Sequence, residues 1–301
     1  MEDSYKEQVA LLVEVLPYVA KEDCFALKGG TAINLFYKNL PRLSVDIDLT
    51  YIKFDDRQTA YTNINTALEN IIKDINKAGY SARLQGNNAE KKIICSNPKA
   101  TIKIEPNYTI RGYAYEPTIL SICKGAEKMF SYAEIQVISK AELYGGKICA
   151  ALDRQHPRDL FDVKELLDNN ELTDDIIKGF VILLLGAGRP LHEMLNPNII
   201  DQSQIFHNEF YGMSDKEFTY ENHIETLKTL IDIVNSSIKQ NYKAFLLDFV
   251  RLEHDFSDID IPNLGKLPAI LWKIKNLEQL QVTNKSKFEE QYIKLAECFA
   301  Y

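Results

Sequence analysis

KGGTAINLFYKNLPRLSVDIDLTY, residues 28–51, decides how this chain is read. Just before it, CFAL at 24–27 is short and apolar and reads as a strand. The strand stops at Lys28, and Gly29-Gly30 permit a tight turn and a close approach of backbone amides to an anion. AINLFYKNL then has helical character up to Pro41. SVDIDLTYI at 44–52 alternates strictly, with Val45, Ile47 and Leu49 facing one way and Asp46 and Asp48 the other. The order is strand, double glycine, short helix, acidic strand.

Two carboxylates two residues apart on a strand share one face, roughly 7 Å apart along the backbone. Keeping both ionised requires solvent screening or a cation. Mg²⁺ prefers oxygen ligands and combines one or two carboxylates with substrate phosphates. TIKIEP at 101–106 alternates again and carries Glu105 near a strand end fixed by Pro106. If that strand neighbours the first, Asp46, Asp48 and Glu105 form a three-carboxylate metal site. Ions held there could activate an attacking hydroxyl and stabilise a transferring phosphoryl group. The ordinary alternative is a solvated strand face. Lys28 is a candidate phosphate contact, Thr31 a candidate helix cap beside the phosphate, and Arg42 or Ser44 a further contact at the strand entrance. Neither GxGxxG nor GxxxxGK[ST] is present.

Outward from this stretch, residues 5–20 read as an amphipathic helix, and 57–78 as a long helix with Gly79 as its cap. YSARL (80–84), KKIICS (91–96) and EIQVIS (134–139) read as strands. From Lys140 to about Leu167 the chain is helical, broken near His156-Pro157, and beyond 170 helix follows helix. This predicts an α+β core over 1–168 and a mainly helical part over 169–301. KAELYGGKICAAL (140–152) carries two glycines inside a helix, and RDLFD (158–162) opens another. One picture has Lys147 reaching a triphosphate while Asp159 or Asp162 orients a base, a lysine or a helix. The other is a salt-bridge network pinning two helices, with Asp162 holding Arg158 or Lys147.

Composition narrows the class. Asp and Glu number 43 against 35 Lys and Arg, a net charge of −8, which argues against indiscriminate polyanion binding. Five cysteines form no CxxC, and five histidines show no ligand spacing, so zinc and disulfide frameworks are weak readings. MEDSYKEQVALL lacks a basic leader, and GFVILLLGAG (179–188) is too short to span a bilayer. A reducing, cytoplasmic setting fits, without membrane attachment.

The segments 28–51, KIEP at 103–106, 140–152 and 158–162 together resemble the AbiEii/AbiGii toxin family of nucleotidyltransferase-like proteins. The resemblance is strong over about 20–168. It implies a polymerase-β-like nucleotidyltransferase core with a mixed sheet. Within it Gly29 and Gly30 match the phosphate turn, Asp46 and Asp48 the metal-binding pair, and Glu105 the third acid. Lys147 matches the family's helical lysine, and Asp162 the aspartate of its later motif. The implied activity is that of a toxin from a toxin–antitoxin or abortive-infection locus. It would transfer NMP from an NTP, with Mg²⁺ or Mn²⁺, to an RNA (tRNA) 3′-hydroxyl. The helical C-terminal part would hold the acceptor. A neighbouring antitoxin gene is implied; a stable complex with its product is not. Alternatives are a protein or small-molecule acceptor, a kinase-like transfer, or a non-catalytic nucleotide-binding module. The turn here is Gly-Gly where many polymerase-β-like enzymes have Gly-Ser, which leaves phosphate contact to the backbone and Thr31.

Overall fold

The structure, a computed structural model, describes residues 1–87 and 90–300. The chain divides into two compact units, 1–139 with 210–217, and 140–209 with 218–301. The helices of 140–168, grouped with the core on sequence, thus fall in the second unit. The return of 210–217 to the first unit had no sequence signal.

The first unit opens with helix α1 (Asp3–Val19) and strand β1 (Phe25–Lys28). The expected helix after the glycines is a single turn, α2 (Gly29–Ala32), running into a wide π turn at Ile33–Tyr37. Strand β2 (Asp46–Tyr51), helix α3 (Arg57–Lys77) and strands β3 (Ser81–Gln85), β4 (Lys92–Ser96) and β5 (Thr101–Asn107) follow close to their expected places. Strand β6 (Thr118–Ser121) and helix α4 (Lys124–Met129) went unread, being too short for any periodicity. Strand β7 (Glu134–Val137) completes a seven-stranded sheet of order β3-β4-β5-β2-β1-β7-β6. The sheet is mixed: β2 with β5 and β1 with β7 are parallel, and the other neighbours are antiparallel.

Alternation does what it promised. Ile47, Leu49 and Ile104 are fully buried, while Asp46, Asp48 and Glu105 stay partly open. Helix α1 packs on β5 and β7, and α3 packs on β3 and against α1. Segment 210–217 steadies the approach to β2. The Leu43 amide donates to Met213 O (2.7 Å), and Ser214 Oγ donates to Pro41 O (2.8 Å).

The second unit is helical: α5 (Lys140–Arg154), α6 (Pro157–Asp168), α7 (Asp174–Leu185) and six further helices among the described residues, through Phe299. His156 Nδ1 caps α6 by accepting from the Arg158 amide, and Pro157 occupies its first turn. No helix of the described residues is long and apolar enough to cross a membrane.

The paired glycines of α5 have a packing explanation. A Cβ on Gly145 would stand 2.2 Å from the Gly179 carbonyl carbon, and one on Gly179 1.9 Å from Ala141 O, so α5 and α7 touch backbone to backbone. Beside Gly146 the nearest atom is Leu183 Cγ at 3.8 Å. Adjacent substitutions should therefore differ in sign. Gly145→Ala destabilises by about 2 kcal/mol or more through overpacking, whereas Gly146→Ala stabilises by up to about 1 kcal/mol through helix propensity. Denaturant unfolding of the two variants checks this; equal effects would contradict the close crossing.

Candidate active site

Four strands bring one row of charges together. Asp48 on β2 lies opposite Lys28 on β1 and opposite Glu105 on β5. Beyond Glu105, Lys92 at the start of β4 donates to Glu105 Oε1 at 2.8 Å. The order across the sheet is cation, acid, acid, cation. Asp46, two residues before Asp48, pairs in register with Lys103. The hydrogen bond from Lys92 to Glu105, and more weakly the charge of Asp46, hold the Lys92 ammonium above its ordinary pKa.

The glycine turn lies directly against these acids. Gly29 has φ +73°, and a Cβ there would stand 2.3 Å from Asp48 Oδ2. Only glycine admits both that backbone and that carboxylate. A Cβ on Gly30 would meet Arg42 Nη2 at 2.6 Å and Ser44 Oγ at 2.8 Å. The turn is braced from behind as Asn34 Nδ2 donates to Gly30 O (2.9 Å).

Several residues expected at the phosphate are placed otherwise. Thr31 is fully buried, and its hydroxyl donates to Asp46 O at 2.6 Å and toward Ser44 Oγ at 3.1 Å. It ties the turn to the acidic strand. It does not cap α2, whose N-cap position is Lys28, without a side-chain cap. Ser44 is buried with it. Arg42 is 2% exposed and donates to Leu43 O, so it is a structural guanidinium beneath Gly30. Sequence reading also missed Lys92, because its pairing depends on the register of β4 against β5.

Asp46, Asp48 and Glu105 therefore share a face, as expected, with Lys28, Gly29 and Gly30 beside them. Lys147 and Asp162 form a group with Asp159 inside the second unit. Lys147 Nζ, 7% exposed, lies 2.8 Å from Asp159 and 3.1 Å from Asp162, both carboxylates being 1% exposed. Arg154 Nε adds a 2.6 Å contact to Asp159. Burial pushes the Asp159 carboxyl up, but Lys147 and Arg154 outweigh it and hold it far below the usual carboxylate range.

Among the described residues no group of three or more His, Cys, Asp or Glu converges into a ready-made cation site. What the sheet offers is two hard carboxylates, Asp46 and Asp48, against a glycine turn, with Glu105 tethered by Lys92. That donor set fits Mg²⁺, which retains open positions for water and substrate phosphates. A three-carboxylate cage formed in advance is not what the geometry shows. Beside this row opens a cleft of about 550 Å³, reached from Lys28, Asp48, Lys92 and Glu105 and extending to Arg57, Tyr61 and Tyr108.

A mixed sheet with a glycine turn and an acidic strand beside a third acid defines a nucleotidyltransferase-like protein. The same fold is seen in MenT4, a nucleotidyltransferase toxin from Mycobacterium tuberculosis H37Rv. The TM-score is 0.57 at 13% sequence identity, over 81% of this chain and 89% of that one. No curated protein matches. The profile of the nucleotidyl transferase AbiEii toxin family, Type IV toxin–antitoxin system, matches residues 10–276, and the chain belongs to that family. It is accordingly a nucleotidyltransferase of a toxin–antitoxin system, and a nucleotide is its substrate.

Proposed function

We propose that this enzyme transfers NMP from an NTP to the 3′-hydroxyl of an RNA, a tRNA end being the preferred acceptor, with Mg²⁺ or Mn²⁺ as cofactor. The observation that carries the reading is the row Lys28–Asp48–Glu105–Lys92 beside the Gly29–Gly30 turn. The turn amides and Lys28 receive the triphosphate. Asp46 and Asp48 would hold the metal, with Glu105 assisting; when bound, the ion offsets charge on the transferring phosphoryl group. Glu105 Oε1 is engaged by Lys92, and in this reading the other carboxylate oxygen, Oε2, accepts the proton of the attacking hydroxyl. The buried Lys147–Asp159–Asp162 cluster supports α5 and α6 and with them the helical unit. The antitoxin of such a system need make no lasting contact with this chain.

Purified protein, total RNA and each α-labelled NTP in turn, with Mg²⁺ or Mn²⁺, test the reading. The expected result is label in RNase-sensitive product from one or two of the four nucleotides. Label that survives RNase and runs with protein would move the acceptor to a side chain. No incorporation into any fraction would defeat the transfer reading.

A further inference from the structure

Across the sheet, the phosphate turn lies on the β1 side of Asp48, and the cleft runs from Lys28 and Asp48, next to that turn, out over β5 and β4 to Arg57, Tyr61 and Tyr108. Phosphoryl transfer puts the attacking and leaving oxygens roughly in line through phosphorus. If pyrophosphate departs toward Gly29–Gly30, the attacking hydroxyl arrives from the opposite side, past Glu105. The far part of the cleft lies on that side. Resting on the transfer reading above, the Lys28 end of the cleft then belongs to the triphosphate and the far end to the acceptor.

The far wall of the cleft has the chemistry of single-stranded nucleic acid recognition. Asp56 caps α3 through the Gln58 and Thr59 amides, which sets Arg57 and Tyr61 one helical turn apart. The exposed Arg57 guanidinium lies over the Tyr61 ring at 5.2 Å, and Tyr108 meets that ring edge-on at 5.1 Å. Behind them Arg111, 6% exposed, lies 5.9 Å over the same ring. Its Nε and Nη1 make no hydrogen bond among the described residues. Lys91 lines the cleft on the β4 side, its carbonyl accepting from Tyr108 Oη at 3.1 Å. A planar cation on an aromatic ring beside a further lysine suits a stacked base with an adjoining phosphate. The volume, about 550 Å³, is within the ~300–1,000 Å³ span of small-ligand sites.

We propose that the far end of this cleft, at Arg57, Tyr61 and Lys91, is the acceptor subsite and takes the unpaired 3′ end of an RNA. The terminal base stacks at Arg57 and Tyr61, and a backbone phosphate rests against Lys91. The 3′-oxygen forms its bond to the α-phosphorus as the bond to the pyrophosphate oxygen breaks. The hydroxyl proton passes to Glu105, and pyrophosphate leaves on the turn side. Tyr61 and Arg57 are specificity-determining, and the charge of Arg111 reinforces that end of the cleft.

Two measurements test this on the full chain. The first is fluorescence anisotropy with a labelled single-stranded RNA hexamer, without nucleotide. Arg57→Ala and Tyr61→Leu each weaken hexamer binding about tenfold, and Lys91→Ala lowers the salt dependence by about one ion. The second is steady-state transfer, in which acceptor KM rises about tenfold in the Arg57 and Tyr61 variants while NTP KM is unchanged. Hexamer binding that is absent from the wild type, or unaffected by both variants, overturns the subsite. A rise in NTP KM with acceptor KM unchanged also overturns it, by assigning the cleft to the incoming base. Should the wild type bind the hexamer through these residues yet transfer nothing to RNA, the subsite stands and the transfer reading fails. If Tyr61→Leu misfolds, Arg57→Ala, an exposed substitution, decides alone.

Discussion

Asp48→Asn reduces nucleotidyl transfer by roughly a thousandfold or more while leaving the protein folded and no less stable than the wild type. Asp48 is the only acid of the row that is in register with both Lys28 and Glu105, and the Gly29 backbone approaches its carboxylate so closely that a methyl group would collide with it. Asparagine keeps the shape against Gly29, so the turn has no steric reason to move. What is lost is a negative charge flanked by Lys28 on one side and Glu105 on the other, at the point where metal and triphosphate should meet. Relieving like-charge repulsion offsets whatever Asp48 contributes to folding, so activity and stability separate, as they do when a residue is retained for chemistry. Transfer kinetics and thermal unfolding on the same preparation check both halves. A folded Asp48→Asn protein with wild-type turnover would remove the acidic strand from the mechanism. Asp46→Asn and Glu105→Gln place the other two acids on the same scale. Glu105→Gln should show the steeper dependence on pH if that carboxylate takes the proton.

Much of this site was legible from residues 28–51, because a strand's side chains alternate with period two whatever surrounds it. The alternation of Val45, Ile47 and Leu49 with Asp46 and Asp48 required one buried and one open face, and a second such pattern offered Glu105 as neighbour. The roles of the polar residues between them were less visible. Thr31 follows two glycines, the place of a phosphate-binding hydroxyl, yet it points inward to Asp46 O. Nothing local distinguishes a hydroxyl that meets a ligand from one that meets the next strand. Lys92 escaped notice because its partner is set by β4–β5 register, a non-local property. The same applies to residues 210–217, whose hydrogen bonds to Leu43 and Pro41 span most of the chain. In 140–152 the glycine pair was conspicuous, but its reason, the backbone of Gly179, lies on another helix. Sequence order supplied the chemistry of the acids; register and crossing supplied their company.

Lys147→Met destabilises the protein by about 4 kcal/mol near neutral pH, and this result decides what the lysine is for. On sequence, Lys147 could reach a triphosphate or pin two helices. In the structure its ammonium lies between two carboxylates that are each 1% exposed, and Arg154, 62% exposed, is the second cation on Asp159. Methionine preserves the length and apolar stem of the side chain. The deficit then measures a buried negative charge left short of its counterion, not a cavity. The sign with pH follows from linkage. In the wild type the Asp159 carboxyl is held well below its unfolded value of about 3.9. Its contribution is therefore complete above about pH 4 and declines as the pH falls further. With Lys147 gone, burial is opposed by one cation fewer and the carboxyl pKa moves up. Protonation then relieves the variant at a higher pH than the wild type, so the gap between them narrows as the pH is lowered from neutrality. Urea unfolding at several pH values reads this directly, and Lys147→Met with Asp162→Asn should recover a large part of the loss at neutral pH. If Lys147→Met instead unfolds like the wild type and has lost transfer, the ammonium acts on the substrate and the helix-pinning role is wrong. If both stability and transfer fall, the activity remaining per folded molecule, measured at a temperature where the variant is fully native, separates a mis-set helical unit from a missing phosphate contact.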